Sequence, residues 1–89
     1  MADPTHMRPE TRVIHGGSRP DPQTGAVSVP IYQSSTFAFR NADEGAARFR
    51  GEDKGYKYTR LGNPTTAALE ECVALLEGGC GAVAAATGM

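Results

Sequence analysis

Tryptophan is absent from these 89 residues, and three phenylalanines and three tyrosines are all the aromatic material available to fill a core. A chain of this length makes at most one small domain, so poverty in large apolar side chains weighs heavily. No apolar run approaches the roughly 18–20 residues needed to cross a bilayer. The N-terminal stretch also lacks the apolar segment of a secretory leader. Neither sign of charge is in excess: nine Lys and Arg stand against ten Asp and Glu, a net charge of −1. This argues against the basic face of a nucleic-acid binder and the polybasic strip of a membrane-surface protein. Only two cysteines occur, Cys72 and Cys80, with no histidine pair nearby. Their spacing fits neither zinc ligation nor a redox pair, so no metal site is expected. They read as small apolar side chains with reduced thiols, which suits a cytoplasmic location.

Glycine and proline, by contrast, are plentiful, at eleven and six. Residues 1–10 read as a disordered leader, with Met7 able to serve as a start. Gly16-Gly17, Pro20, Pro22, Gly25 and Pro30 break any helix, leaving only short apolar runs between them. Residues 11–62 are therefore expected to form an extended arm that cannot bury itself and must lie on something else. Within it, a short helix is expected near 41–48, capped by Asn41 with Glu44 three positions on reaching back to the cap. Residues 63–89 look different. Asn63 is a good N-cap and Pro64 suits the first helical position. Leu69, Cys72, Val73 and Leu76 recur at i, i+3, i+4 and i+7, predicting a helix over 64–77 with one apolar stripe. Gly78-Gly79 is the stop. The small, apolar run 80–86 has the length and composition of a strand covered on both faces, as in a parallel sheet. Helix, tight turn and buried strand make the beginning of an α/β repeat.

Two places suggest an anionic ligand. Tyr56, Tyr58 and Arg60 alternate, so an extended backbone would project them to one side. Tyr58 and Arg60 can grip a phosphate together, the guanidinium by paired N–H bonds and the phenol by one O–H. The plainer reading is a strand edge with a solvated arginine and a half-buried tyrosine. Thr87-Gly88-Met89 follows the expected strand, where open α/β sheets bind ligands and a glycine turn can wrap a phosphate in backbone N–H groups. The other reactive side chains are weaker candidates. His15 has no carboxylate or nucleophile at a telling distance, and Ser34-Ser35-Thr36 has no assigned base. Lys54 and Lys57 lack the apolar surroundings that would make either an amine nucleophile.

Several stretches together resemble a known family. They are Thr11 to Gly17, Gly25 to Phe37 with its Pro-Ile-Tyr-Gln-Ser-Ser-Thr-Phe, Tyr58-Thr-Arg-Leu-Gly-Asn-Pro-Thr65, Leu69-Glu70 and Leu76-Glu-Gly-Gly79. In this order they are similar to the N-terminal portion of the Cys/Met-metabolism enzymes, the gamma family of pyridoxal-phosphate (PLP) proteins. The resemblance implies the aspartate-aminotransferase-like fold (fold type I, α/β), of which this chain would be the N-terminal arm plus the first helix and strand. It implies a homotetramer built from two tight dimers, with the arm packed on a neighbouring subunit. It further implies that Tyr58, Thr59 and Arg60 bind the phosphate of the neighbouring subunit's PLP, while Thr87, Gly88 and Met89 bind that of the chain's own. Thr87 stands where the family pattern has serine, and the hydroxyl is kept.

The Schiff-base lysine, the stacking aromatic, the aspartate on the ring nitrogen and the arginine for the substrate carboxylate map to no position here, so no catalytic residue is assigned. Leu61-Gly62-Asn63-Pro64, the Thr-Gly-Met ending and Glu44 to Glu52 lean towards the methionine gamma-lyase branch. The implied reaction is α,γ-elimination of methionine, or of a related γ-substituted amino acid, to a 2-oxo acid, ammonia and a thiol. The cystathionine gamma-synthase, cystathionine gamma-lyase and homoserine-ester sulfhydrylase branches are the alternatives. A reading of another class is an inactive fragment or oligomerisation arm. With one helix stripe and one strand to bury and no disulfide or metal, the isolated chain is expected to be largely disordered.

Overall fold

The computed structural model describes residues 6–88 and contains three helices, α1 (Pro9–His15), α2 (Ala42–Phe49) and α3 (Pro64–Glu77). The chain divides into two compact units. One joins the segment ending at Ile31 to the segment beginning at Pro64; the other is Tyr32–Asn63. The arm expected over 11–62 is thus not one extended piece.

In the first unit, α1 occupies residues expected to be leader and extended arm. The breakers begin only at Gly16; before them Pro9 starts the helix, Glu10 lies in its first turn, and Arg12 and His15 lie in its last, each suited to the helix dipole. Seven residues do not hold a helix alone in water. α3 supplies the rest. The Arg12 guanidinium donates to the Leu75 carbonyl at 3.0 Å, and the Cys72 thiol donates to the Arg12 carbonyl at 3.4 Å. Immediately after α1, Gly17 has φ +75, and a Cβ there would fall 2.3 Å from the Ala68 carbonyl oxygen. The Gly16-Gly17 pair therefore does more than end a helix: it lets the backbone close onto α3. Arg19 adds a two-point ion pair to Glu71, at 2.8 and 3.3 Å, and the Thr65 hydroxyl donates to the Pro30 carbonyl at 2.8 Å.

α3 ends as its glycines dictate. Gly78 takes φ 66 and its N–H reaches the Leu75 carbonyl at 3.4 Å, while the Gly79 N–H reaches the Ala74 carbonyl at 2.9 Å. These two bonds are the Schellman pattern. Beyond them the strand expected over 80–86 is not formed. The run makes no β pairing among the described residues, Val83 is 92% exposed, and the Ala84 N–H donates to the Glu70 carboxylate at 2.8 Å. A strand exists only through ladder bonds to a neighbour, and residues 6–88 include no neighbour for this one.

The second unit is organised by charge and aromatic contact. Asn41 caps α2, its side-chain oxygen accepting from the Glu44 N–H at 2.8 Å. The Glu44 carboxylate does not return to Asn41. It pairs instead with Arg40 at 2.7 Å and with Arg48, one turn on, at 2.9 Å. Phe39 lies on Gly45, where a Cβ would come within 2.8 Å of its ring, and meets Phe49 edge-on at 6.1 Å. The only β pairing among the described residues is the antiparallel bridge Thr36–Tyr58. No hydrophobic side chain among the described residues is fully buried; Asn63, at 3% exposure, is the buried polar one.

Candidate functional site

Arg48 is the centre from which the Tyr56–Arg60 segment is hung. Its guanidinium donates to the Tyr56 carbonyl at 3.0 Å and to the Ala38 carbonyl at 3.4 Å, lies 3.5 Å from the Asp53 carboxylate, and covers the Phe39 ring at 5.2 Å. Gly55 leaves it room, since a Cβ there would fall 2.5 Å from Arg48 Nε and push the guanidinium aside. Lys57 turns inward as well, its ammonium donating to the Arg48 carbonyl at 3.1 Å over the Phe49 ring. The hydrogen bond from Arg40 holds the Glu44 carboxyl below its ordinary range, helped by the Arg48 charge. The Gly55 N–H, with Arg48 behind it, does the same for Asp53.

Past Lys57 the backbone bends. The Leu61 and Gly62 N–H groups both donate to the Tyr58 carbonyl, at 2.9 and 3.1 Å, so residues 58–61 form a turn and not the extended strand expected from the alternation. The turn folds the Arg60 guanidinium over the Tyr58 ring, 5.3 Å from its centroid, a favourable cation–π placement. Tyr56 is directed elsewhere, onto Phe37 at 5.6 Å. Residues 32–35 and 58–60 line an open concavity of about 530 Å³.

Within this unit Arg40, Arg48 and Arg50 each have a carboxylate within 4 Å, whereas Arg60 has none among the described residues. The Tyr58 hydroxyl likewise donates to no described residue. A guanidinium and a phenol that are both unpaired among the described residues, side by side on a concave surface, are a donor set suited to a phosphate. Thr59 differs from its neighbours. Its N–H donates to the Ser35 carbonyl at 2.8 Å, and its hydroxyl donates to the Ser34 carbonyl.

The second candidate element is less developed. Thr87 and Gly88 are exposed, a Cβ on Gly88 would meet nothing within 4 Å, and Met89 lies outside the described residues. Of the remaining side chains, His15 and Lys54 are exposed, and the Ser34 hydroxyl donates to the Thr36 carbonyl at 2.7 Å. Cys80 is exposed and Cys72 half-buried. No group of three metal-ligating side chains occurs among the described residues.

Sequence reasoning missed Arg48 and the inward face of Asn63. The i, i+4 spacing of Glu44 and Arg48 was a usable signal. Nothing in the sequence indicated that the Asn63 amide donates to the Tyr32 carbonyl at 2.9 Å and to the Thr59 hydroxyl oxygen at 3.1 Å.

Residues 10–89 match the family of Cys/Met metabolism PLP-dependent enzymes, and the chain belongs to that family. It is 51% identical over 79 residues to the L-methionine gamma-lyase of Porphyromonas gingivalis, a match covering 89% of this chain and 20% of the relative. It is 54% identical over 81 residues to the cystathionine gamma-synthase of Mycobacterium tuberculosis, covering 91% of this chain and 19% of the relative. Among solved structures it is similar to a Campylobacter jejuni protein described as an O-acetylhomoserine (thiol)-lyase, with TM-score 0.75 and 41% identity over 85% of this chain and 18% of that one. That structure carries N'-pyridoxyl-lysine-5'-monophosphate. The chain thus corresponds to the N-terminal part of a fold type I PLP enzyme and spans about a fifth of the curated relatives' length. Relatives with different reactions lie at 51% and 54% identity, so this part of the family does not separate them.

Proposed function

We propose that this chain is the N-terminal part of a PLP-dependent enzyme that removes the γ-substituent of methionine, or of a similar sulfur-containing amino acid, as a thiol, leaving a 2-oxo acid and ammonia. When bound, PLP supplies an electron sink for carbanions on the amino-acid carbons. The chain's own residues hold and orient that cofactor. Arg60 grips its phosphate through paired N–H groups and Tyr58 adds one O–H bond, in a pocket belonging to the neighbouring subunit of a cytoplasmic homotetramer. Thr87, Gly88 and Met89 meet the phosphate of the chain's own subunit through backbone N–H groups. The observation that carries this reading is the Arg60 guanidinium stacked on Tyr58 with no carboxylate within 4 Å among the described residues.

The test is PLP retention by the full-length enzyme. Each charged hydrogen bond to phosphate contributes about 1.5–3 kcal/mol. Arg60→Ala should therefore weaken PLP affinity by about 10- to 100-fold, and Tyr58→Phe by less. Unchanged affinity and activity in Arg60→Ala would overturn the role given to this pair. The branch within the family is decided by product analysis. Ammonia and a 2-oxo acid from methionine support the lyase; thioether formation from a homoserine ester and a thiol supports the synthase or sulfhydrylase reading, which the 54% relative favours equally.

A further inference from the structure

The turn that carries Tyr58 and Arg60 is held by a short polar chain, and that chain uses up the donors of the residue between them. Thr59 has two donors, its backbone N–H and its hydroxyl proton. The first goes to the Ser35 carbonyl at 2.8 Å and the second to the Ser34 carbonyl. The hydroxyl oxygen then accepts from the Asn63 amide at 3.1 Å, and the same amide nitrogen donates to the Tyr32 carbonyl at 2.9 Å. Asn63 is almost wholly buried. Segment 32–35 is thereby tied at three carbonyls, two by the side chains of Thr59 and Asn63 and one by the Thr59 backbone N–H. Among the described residues no hydrogen bond or ion pair restrains the Arg60 side chain, which lies over the Tyr58 ring.

We propose that Thr59 and Asn63 are positioning residues: Thr59 is not a ligand of the phosphate, and with Asn63 it fixes the turn so that Tyr58 and Arg60 present their donors together. This rests on the phosphate role given to Arg60 above. A hydroxyl with one proton, already donated to Ser34, can only accept from a further partner, and a phosphate oxygen offers nothing to accept. Thr59 acts on the anion only by where it holds its neighbours.

The experiment compares Thr59→Val, which keeps the shape and branching but removes the hydroxyl, with Thr59→Ser, which restores it, in the full-length holoenzyme. PLP dissociation constants are measured by equilibrium dialysis, in the native background and in Arg60→Ala. Thr59→Val is expected to weaken PLP binding about five- to tenfold, and Thr59→Ser to stay within about twofold of the native protein. In the Arg60→Ala background Thr59→Val should add little, because the group it positions is gone. Loss of equal size in both backgrounds would make Thr59 an independent ligand and overturn the inference. So would native affinity in Thr59→Val while Arg60→Ala binds weakly, and that result leaves the phosphate role of Arg60 standing. Native affinity in Arg60→Ala removes that role and the inference with it. Asn63→Ala empties an almost wholly buried position and takes the donor from the Tyr32 carbonyl and the Thr59 hydroxyl oxygen, which risks misfolding, so the threonine pair carries the decision.

Discussion

The two units of this chain are held together by different physics. In Tyr32–Asn63, side chains reach the backbone: Arg48 ties two carbonyls, Lys57 ties a third, and Thr59 and Asn63 tie two more between them. In the other unit Arg12, Cys72 and Thr65 also reach carbonyls, but there the backbone itself closes on backbone, with Gly17 set against α3 so closely that no side chain fits. Both units leave large apolar groups in the open, Phe49 and Leu61 at 68% and 65% in Tyr32–Asn63, but in the other unit they reach further, with Ile14, Leu69 and Val83 at 70%, 57% and 92%. A segment fixed by polar bonds to its own backbone can carry a preformed turn without a core. A segment with an open apolar face has its folding decided by whatever covers that face. The Tyr58–Arg60 element belongs to the first kind, and the run leading to Thr87 and Gly88 to the second.

The largest expected effect comes from attacking the backbone approach. Gly17→Ala combines a left-handed φ with a clash on the Ala68 carbonyl, and should destabilise the α1–α3 packing by about 2 kcal/mol or more. Amide exchange in the full-length protein reads this as lost protection in α1 and α3, with Thr59 and its neighbours spared. Matched loss in both regions would show that the two units do not respond separately. Arg48→Met keeps much of the stem but removes the carbonyl bonds and both ion pairs. It should cost about 1–3 kcal/mol, seen as faster exchange at Phe37 and Thr59 and weaker PLP retention. Retained protection at Phe37 would show that the bridge Thr36–Tyr58 stands without Arg48.

Acid should act on the same unit. The Glu44 and Asp53 carboxyls titrate below their ordinary values of 4.5 and 3.8 in the folded chain. On acidification the unfolded chain takes up protons first, so the stability these groups contribute is complete above those values and is lost as pH falls through the depressed ones. Exchange protection in α2 should fall across that window, and Glu44→Gln should flatten the dependence. A profile unaltered by Glu44→Gln would remove Glu44 from the account.

Where the sequence was legible, the signal was local. Asn41 ahead of α2, and the Pro64 start, apolar stripe and Gly78-Gly79 stop of α3, each describe interactions within a few residues, and the corresponding elements are present. α1 was missed because the helix-breaking residues around it outweighed a seven-residue signal that depends on α3 for support. The alternation of Tyr56, Tyr58 and Arg60 suggested extended backbone, whereas bonds to the Tyr58 carbonyl curl it into a turn.

Sequence alone thus determined the family, through motifs in a fixed order, and the helices whose start and stop signals lie inside them. The tertiary structure decided which donors are free. Arg60 and Thr59 are adjacent polar residues in one motif, and the placement of the Ser34 and Ser35 carbonyls, some 25 positions away, engages both donors of Thr59, while the Arg60 guanidinium has no carboxylate within 4 Å among the described residues. Hydrogen-bond capacity is a property of a side chain, but its availability is a property of the fold around it.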